Sequence, residues 1–348
     1  MDIIQTYTVF ESNIKKSLTD YKNEKITNKK GCFRGIHNEM VLPDSEHQET
    51  PAMLYDGIIE TWKEIQNSEF KYKPHIYSFK HIASSQTACV NLFIPILTCS
   101  KANEILKNSN IAPDDFDHID KDSLYKGFQF EFGVGDLLEN KSGVVTDADV
   151  AIAYINKNGE KCLWLIEHKL TEKDFTHCGG YKSAHKSKKG NPAENSSKNK
   201  CYYENCTGCT LEEILNKPSL CYYHAVSKYK YWKIMKEYGG REFFSGKYEK
   251  KECPFRSGMN QLWRNQLLAL ALENIPNTYG YKHVCFSVVK HPDNPSLNKS
   301  IENYRKLINN SFKFSVFTSL DLIRATKDIP GLKEWTDWYR KVYCITND

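Results

Sequence analysis

Two short apolar runs stand in the middle of the chain, Val150 to Ile155 and Cys162 to Ile166, separated by Asn156-Lys157-Asn158-Gly159. Runs of this length ending at an Asn-Gly pair predict a β-hairpin. Upstream, Leu54, Ile58, Ile59, Trp62 and Ile65 recur with the period of a helix, and Ser84 to Phe93 reads as a second helix capped by Ser84 or Ser85. Downstream, Gly258 to Asn274 carries Leu262, Leu267, Leu268, Leu270 and Leu272 and predicts a long helix. Tyr281 to Lys290 and Phe312 to Thr318 predict strands, Ile301 to Ile308 a helix between them, and Trp335 to Tyr343 a closing helix. This alternation predicts an α/β fold, a mixed β-sheet flanked by helices. Three regions follow: an N-terminal helical region over 1–75, a core over 76–176 and 254–348, and an insertion over 177–253.

The polar residues at the hairpin's open end carry the chemistry. An antiparallel turn near Asn158-Gly159 puts Asp149 opposite residues 167 to 169. Glu167 and Lys169 share a face because strand side chains alternate; His168 points the other way. Two carboxylates, Asp149 and Glu167, suit a hard divalent cation such as Mg²⁺ or Mn²⁺. Lys169 beside them suits orientation or deprotonation of the attacking water and compensation of charge at a phosphodiester. Asp147 competes with Asp149 for the first position. Glu131, in Phe128-Gln129-Phe130-Glu131-Phe132, is read as a further acid from a preceding helix. Gln86 is polar within an otherwise apolar predicted helix, either satisfied by local backbone or placed to support the site or reach nucleic acid, and Gln261 and Arg264 stand on the long predicted helix downstream.

Composition narrows the class. An apolar content of 40% over 348 residues can fill a real core. The net charge of +5 is too mild to prove a polyanionic partner, but Lys182 to Lys200 is a basic stretch fit for phosphate contact. The N-terminus has no secretory pattern and no apolar run is long enough for a bilayer, so a cytoplasmic protein with no membrane partner is expected. The 12 cysteines are then expected as thiols or metal ligands and not as disulfides.

Three blocks resemble the PD-(D/E)XK nuclease superfamily, and within it a group of putative bacterial restriction endonucleases. They are Ser84-Ser85-Gln86 through Asn91-Leu92-Phe93; Thr146 to Asp149 with Leu165-Ile166-Glu167-His168-Lys169-Leu170-Thr171-Glu172; and Pro254-Phe255 through Gln261-Leu262-Trp263-Arg264-Asn265-Gln266-Leu267-Leu268-Ala269. The resemblance spans roughly residues 75 to 290. It implies a restriction-endonuclease-like core and Mg-dependent DNA cleavage, with Asp149 and Glu167 on the metal, Lys169 in catalysis, Glu131 as the helical acid, and Gln261 and Arg264 supporting the site or contacting DNA. The usual Pro before the first acid is absent here, replaced by Thr146-Asp147-Ala148, which leaves Asp147 and Asp149 as alternatives.

The insertion holds Cys178, Cys201, Cys206, Cys209, Cys221 and Cys253. Cys178, Cys201, Cys221 and Cys253 are read as one ligand set, closing the insertion beside the site. Cys206-x-x-Cys209 with Cys221-x-x-His224 is the alternative set. The metal is zinc or, as the resemblance allows, an iron–sulfur cluster. The expected function is a Mg-dependent DNA endonuclease of restriction or defence type, with a homodimer left open because one centre cuts one strand. An inactive nucleic-acid-binding protein with a structural metal module, and a repair or recombination nuclease, are the alternatives.

Overall fold

The computed structural model describes residues 3–44, 51–71, 78–140, 145–185, 196–239, 244, 248, 250–275, 279–309, 311 and 313–346. The connection 43–51 and the basic stretch 182–200 therefore lie partly outside the described residues.

The predicted hairpin is the centre of the molecule. Its arms, Asp147–Asn156 and Lys161–Lys169, pair from Val150↔Ile166 to Ile155↔Lys161. Asn156 closes the turn, its side-chain oxygen accepting from the amides of Asn158 and Glu160, and Gly159 takes the left-handed backbone (φ 80°) that glycine adopts without strain. Counting strands along the chain, a small ribbon of β1 (Gly31–Phe33) and β2 (Ile36–Asn38) stands apart. The main sheet has six strands: β3 (Phe116–Ile119), β4 (Phe128–Gly133), the hairpin arms β5 and β6, β7 (Val284–Lys290) and β8 (Phe314–Thr318). The order is β3-β5-β6-β7-β8, with β4 also on β5. Strands β3 to β6 pair antiparallel, whereas β6-β7 and β7-β8 are parallel. Parallel neighbours need a long crossover, and the helices after residue 177 supply it.

Alternation along the hairpin feeds two cores. Val150, Ile152, Tyr154, Cys162, Trp164 and Ile166 face one; Ala151, Ala153, Leu163 and Leu165 face the other. Such doubly buried strands read as nearly continuous apolar runs, as these do. The first core is covered by α1 (Ile3–Lys25), α2 (Ile59–Asn67), α3 (Ser85–Thr98) and α4 (Ala102–Asn108). In α1, Tyr7, Phe10, Ile14 and Leu18 form the stripe spaced by three and four that buries a helix. Ser84 caps α3 by accepting from the Thr87 amide.

The segment 177–253 carries α5 (Gly179–His185), α6 (Ser196–Gly208), α7 (Leu211–Asn216), α8 (Tyr222–Ala225) and α9 (Tyr231–Ile234). Cys206, Leu211, Ile214, Cys221, Tyr231 and Trp232 from this segment join the second core. So do α10 (Asn260–Asn274) and α11 (Asn298–Leu307). Finally α12 (Ser319–Ala325) and α13 (Lys333–Val342) return to the first core, where α13 meets α1: Ser17 Oγ donates to the Lys341 carbonyl at 2.8 Å.

Two sequence expectations change. The pattern from Leu54 resolves into a 3-10 turn at Asp56–Ile58 followed by α2. Glu131 lies on strand β4, not on a helix: Phe128, Phe130 and Phe132 alternate with the period of a strand. Tyr231 and Trp232 are buried in the second core beside Trp263, where they fill space. Among the described residues no helix is long and apolar enough to cross a membrane.

Candidate active site

The site forms where the open end of the hairpin passes between α3 and α10. The β5-β6 ladder ends at Val150↔Ile166, and Asp149 and Glu167 are each the next residue beyond it. Glu167 acts on both Asp149 and Asp147. The β4-β5 ladder runs through Phe130↔Val150 and Phe132↔Ala148, which brings Glu131 abreast of Asp149. Glu131 has a left-handed backbone (φ 48°). The sides switch there: Phe128 and Phe130 join the first core, Phe132 the second. A non-glycine residue in that conformation is held by its surroundings, and here the effect is to turn the carboxyl into the site.

Glu167 is the most constrained acid. One oxygen accepts from Lys169 Nζ at 2.7 Å and from Gln261 Nε2 at 2.6 Å; the other accepts from Asn265 Nδ2 at 2.7 Å. Asp149 accepts from the His168 amide at 2.6 Å. Glu131 accepts from Gln86 Nε2 at 2.6 Å. Arg264 donates to Thr146 Oγ1 at 3.0 Å, and buried Glu139 accepts from the Thr146 hydroxyl and from Tyr231. Thus α3 supplies one side chain to the cluster and a single face of α10, residues 261, 264 and 265, supplies three.

The electrostatics follow from crowding acids in a dry place. Burial, then repulsion from Asp147, pushes Glu131 up to about 8. Burial and Glu167 raise Asp147, and the same two causes hold Asp149 well above the usual carboxylate range. The cations acting on this pair are Lys169 on Asp149 and Arg264 on Asp147. Burial alone would lower Lys169, but Glu167, Glu172 and Asp149 outweigh it and raise it, so the ammonium keeps its proton. His168 is pushed down to about 3 by burial, then by Lys169, and is neutral.

Asp149, Glu167, Lys169, Glu131, Gln86, Gln261 and Arg264 therefore come together, and Asp147 joins them. Asn265, Glu139 and Thr146 were not foreseen. Asn265 had a signal, standing one helical turn past Gln261. Glu139 had none, because its partners Thr146 and Tyr231 lie on other elements.

The cysteines sort differently from the expected sets. Cys178, Cys206, Cys221 and Cys253 are buried and Cys201 is exposed. Cys201 and Cys206 share α6 but, five residues apart, lie roughly 140° around the helix from each other. Cys209 is partly buried and lies beside Asn205. The His224 amide acts on the Cys221 sulfur. Among the described residues, no three or more His, Cys, Asp or Glu side chains are arranged to hold a metal ion as they stand.

Compared with families of known proteins, residues 10–344 match the model of a family described as restriction endonuclease associating with ARP. No curated protein and no solved structure matches the chain.

Proposed function

The chain belongs to the family of restriction endonucleases associating with ARP, and from that premise we propose that it is a Mg-dependent DNA endonuclease of the PD-(D/E)XK type. The observation that carries this reading is the Glu167–Lys169 pair, 2.7 Å apart, facing Asp149 across the hairpin. DNA is the proposed partner because the family is one of restriction endonucleases.

The chemistry of the donors suits a hard divalent cation, which takes one or two carboxylates and keeps waters, although among the described residues no three stand arranged around one. Glu131, Asp147 and Asp149 are all raised by burial and by neighbouring carboxylates, the condition that a bound cation relieves. Asp149 and Glu167 would hold Mg²⁺ or Mn²⁺, with Asp147 and Glu131 beside them. Such an ion supplies Lewis-acid polarisation of the phosphate and a lowered pKa for a bound water.

The chain's own residues do the rest. Lys169 remains protonated, so it orients water and offsets developing phosphate charge and does not act as the base. Gln261 and Asn265 fix both oxygens of Glu167, which fixes Lys169 in turn. Arg264, anchored on Thr146, holds positive charge beside Asp147. Gln86 fixes Glu131 from the opposite side.

Incubation with supercoiled plasmid tests the reading. Nicked or linear product is expected with Mg²⁺ or Mn²⁺ and none with chelator. Absence of cleavage under every cation, on both methylated and unmethylated plasmid, would contradict it.

A further inference from the structure

At the second core lies a cluster the nuclease reading does not use, three of its four cysteines being members of that core. Cys178, Cys206, Cys221 and Cys253 come from four separate places: the turn before α5, the last turn of α6, the start of α8, and the turn leading to α10. They are 7%, 5%, 6% and 6% exposed. The backbone draws two of them together directly, the Cys253 amide donating to the Cys206 carbonyl at 2.9 Å. All four thiols lie within electrostatic reach of one another. Cys221 acts on Cys178; Cys221 and Cys178 act on Cys206; and Cys206, Cys221 and Cys178 act on Cys253.

What surrounds the sulfurs points to a ligand. Backbone amides close in sequence act on three of the sulfurs and favour their charged form: Gly180 and Tyr181 on Cys178, Tyr223 and His224 on Cys221, Phe255 on Cys253. The Tyr181 amide is 3.4 Å from the Cys178 sulfur. The Tyr223 hydroxyl accepts from the Gly179 amide at 2.8 Å, which leaves its own proton for Cys178. A Cβ on Gly179 would sit 2.9 Å from that hydroxyl, so glycine is what permits the approach. Trp232 is fully buried, its Nε1 has no partner at ordinary hydrogen-bond geometry, and it acts on Cys221 as a donor does. A neutral thiol is a weak acceptor and does not justify so many buried donors. Metal-bound thiolates do: burial raises all four thiols in the metal-free fold, and a bound cation is what would release their protons.

We propose that Cys178, Cys206, Cys221 and Cys253 form a tetrathiolate metal centre, with the surrounding amides, Tyr223 and Trp232 as its outer hydrogen-bond shell. Soft sulfur ligands select zinc or an iron–sulfur cluster over Mg²⁺. Each ligating thiol gives up its proton to solvent as its metal–sulfur bond forms. The centre fastens both ends of the 177–253 segment. One end follows the strand that carries Glu167 and Lys169; the other leads into the helix that carries Gln261, Arg264 and Asn265. Its role is to fix the distance between those two elements.

Metal analysis of the full chain, purified without oxygen and without chelator, tests this. Stoichiometric zinc, about one per chain, or iron accompanied by acid-labile sulfide supports the proposal and tells the two chemistries apart. Cys206→Ser should lose that metal and Cys201→Ser should keep it. Wild-type protein stripped and refilled with Co²⁺ gives a second readout that depends on no cysteine variant, the intense sulfur-to-cobalt charge-transfer absorption of a thiolate site. Glu167→Ala should retain the centre, which separates it from the nuclease site. Metal-free protein that takes up neither zinc nor cobalt would overturn the proposal, as would Cys201→Ser losing metal as completely as Cys206→Ser.

Discussion

Glu131 gives the site a pH signature. Its carboxyl titrates at about 8 in the fold against an ordinary value of 4.5. Between those values the native state binds more protons than the unfolded one, so stability falls as pH rises through that window and levels off above it. In chelator, the urea midpoint should therefore drop from pH 5 toward about pH 8, and Glu131→Gln should flatten the slope; a midpoint rising across the window would contradict the assignment. Gly133 is a second sensitive point. It pairs with Asp147, and a Cβ there would lie 2.7 Å from Val145 Cγ1 and 2.9 Å from the Thr146 carbonyl. Gly133→Ala should push the start of β5 out of place and reduce cleavage far more than it lowers the melting temperature. Equal loss of both would place the effect in general stability. At this scale the sequence was half legible. Asp149, Glu167 and Lys169 follow from period-two alternation and one turn, whereas Glu139 pairs with residues 7 and 92 positions away and leaves no local trace.

The hairpin and α10 were legible as elements because each is long, regular and bounded by clear signals. Shorter ones were not. Glu131 reads as a helical acid although the phenylalanines of β4 alternate around it, and the phase of α6, which buries Cys206 and exposes Cys201, is not revealed by ligand spacing. The element on which most depends is α10. Its Trp263 stacks on Phe255 with centroids 4.3 Å apart and meets Trp232 at 4.9 Å, so one side chain joins the helix to the 177–253 segment. Trp263→Ala should destabilise by about 3–5 kcal/mol in urea unfolding, as large-to-small changes at buried aromatics do. A loss under about 1 kcal/mol would mean that the joint closes without it.

Across the whole molecule, one sheet divides two cores, and the acidic cluster sits where strands from the middle of the sheet leave both. The sequence conveyed the mixed sheet and its flanking helices. It did not convey that α1 and α13, at opposite ends of the chain, close the same core, since such contacts are set only by the assembled fold. A cation binding the native cluster and not the unfolded chain must raise stability by mass action. Added Mg²⁺ should thus raise the melting temperature of wild type and leave Asp149→Ala/Glu167→Ala unmoved; an equal rise in both would place the bound ion elsewhere. The most direct test of the catalytic reading is the single-turnover cleavage rate of Lys169→Ala on plasmid DNA, with DNA affinity measured on the same sample. Affinity within a few-fold of wild type and a rate lower by about 10² or more is the expected result. Cleavage by Lys169→Ala at the wild-type rate would contradict it.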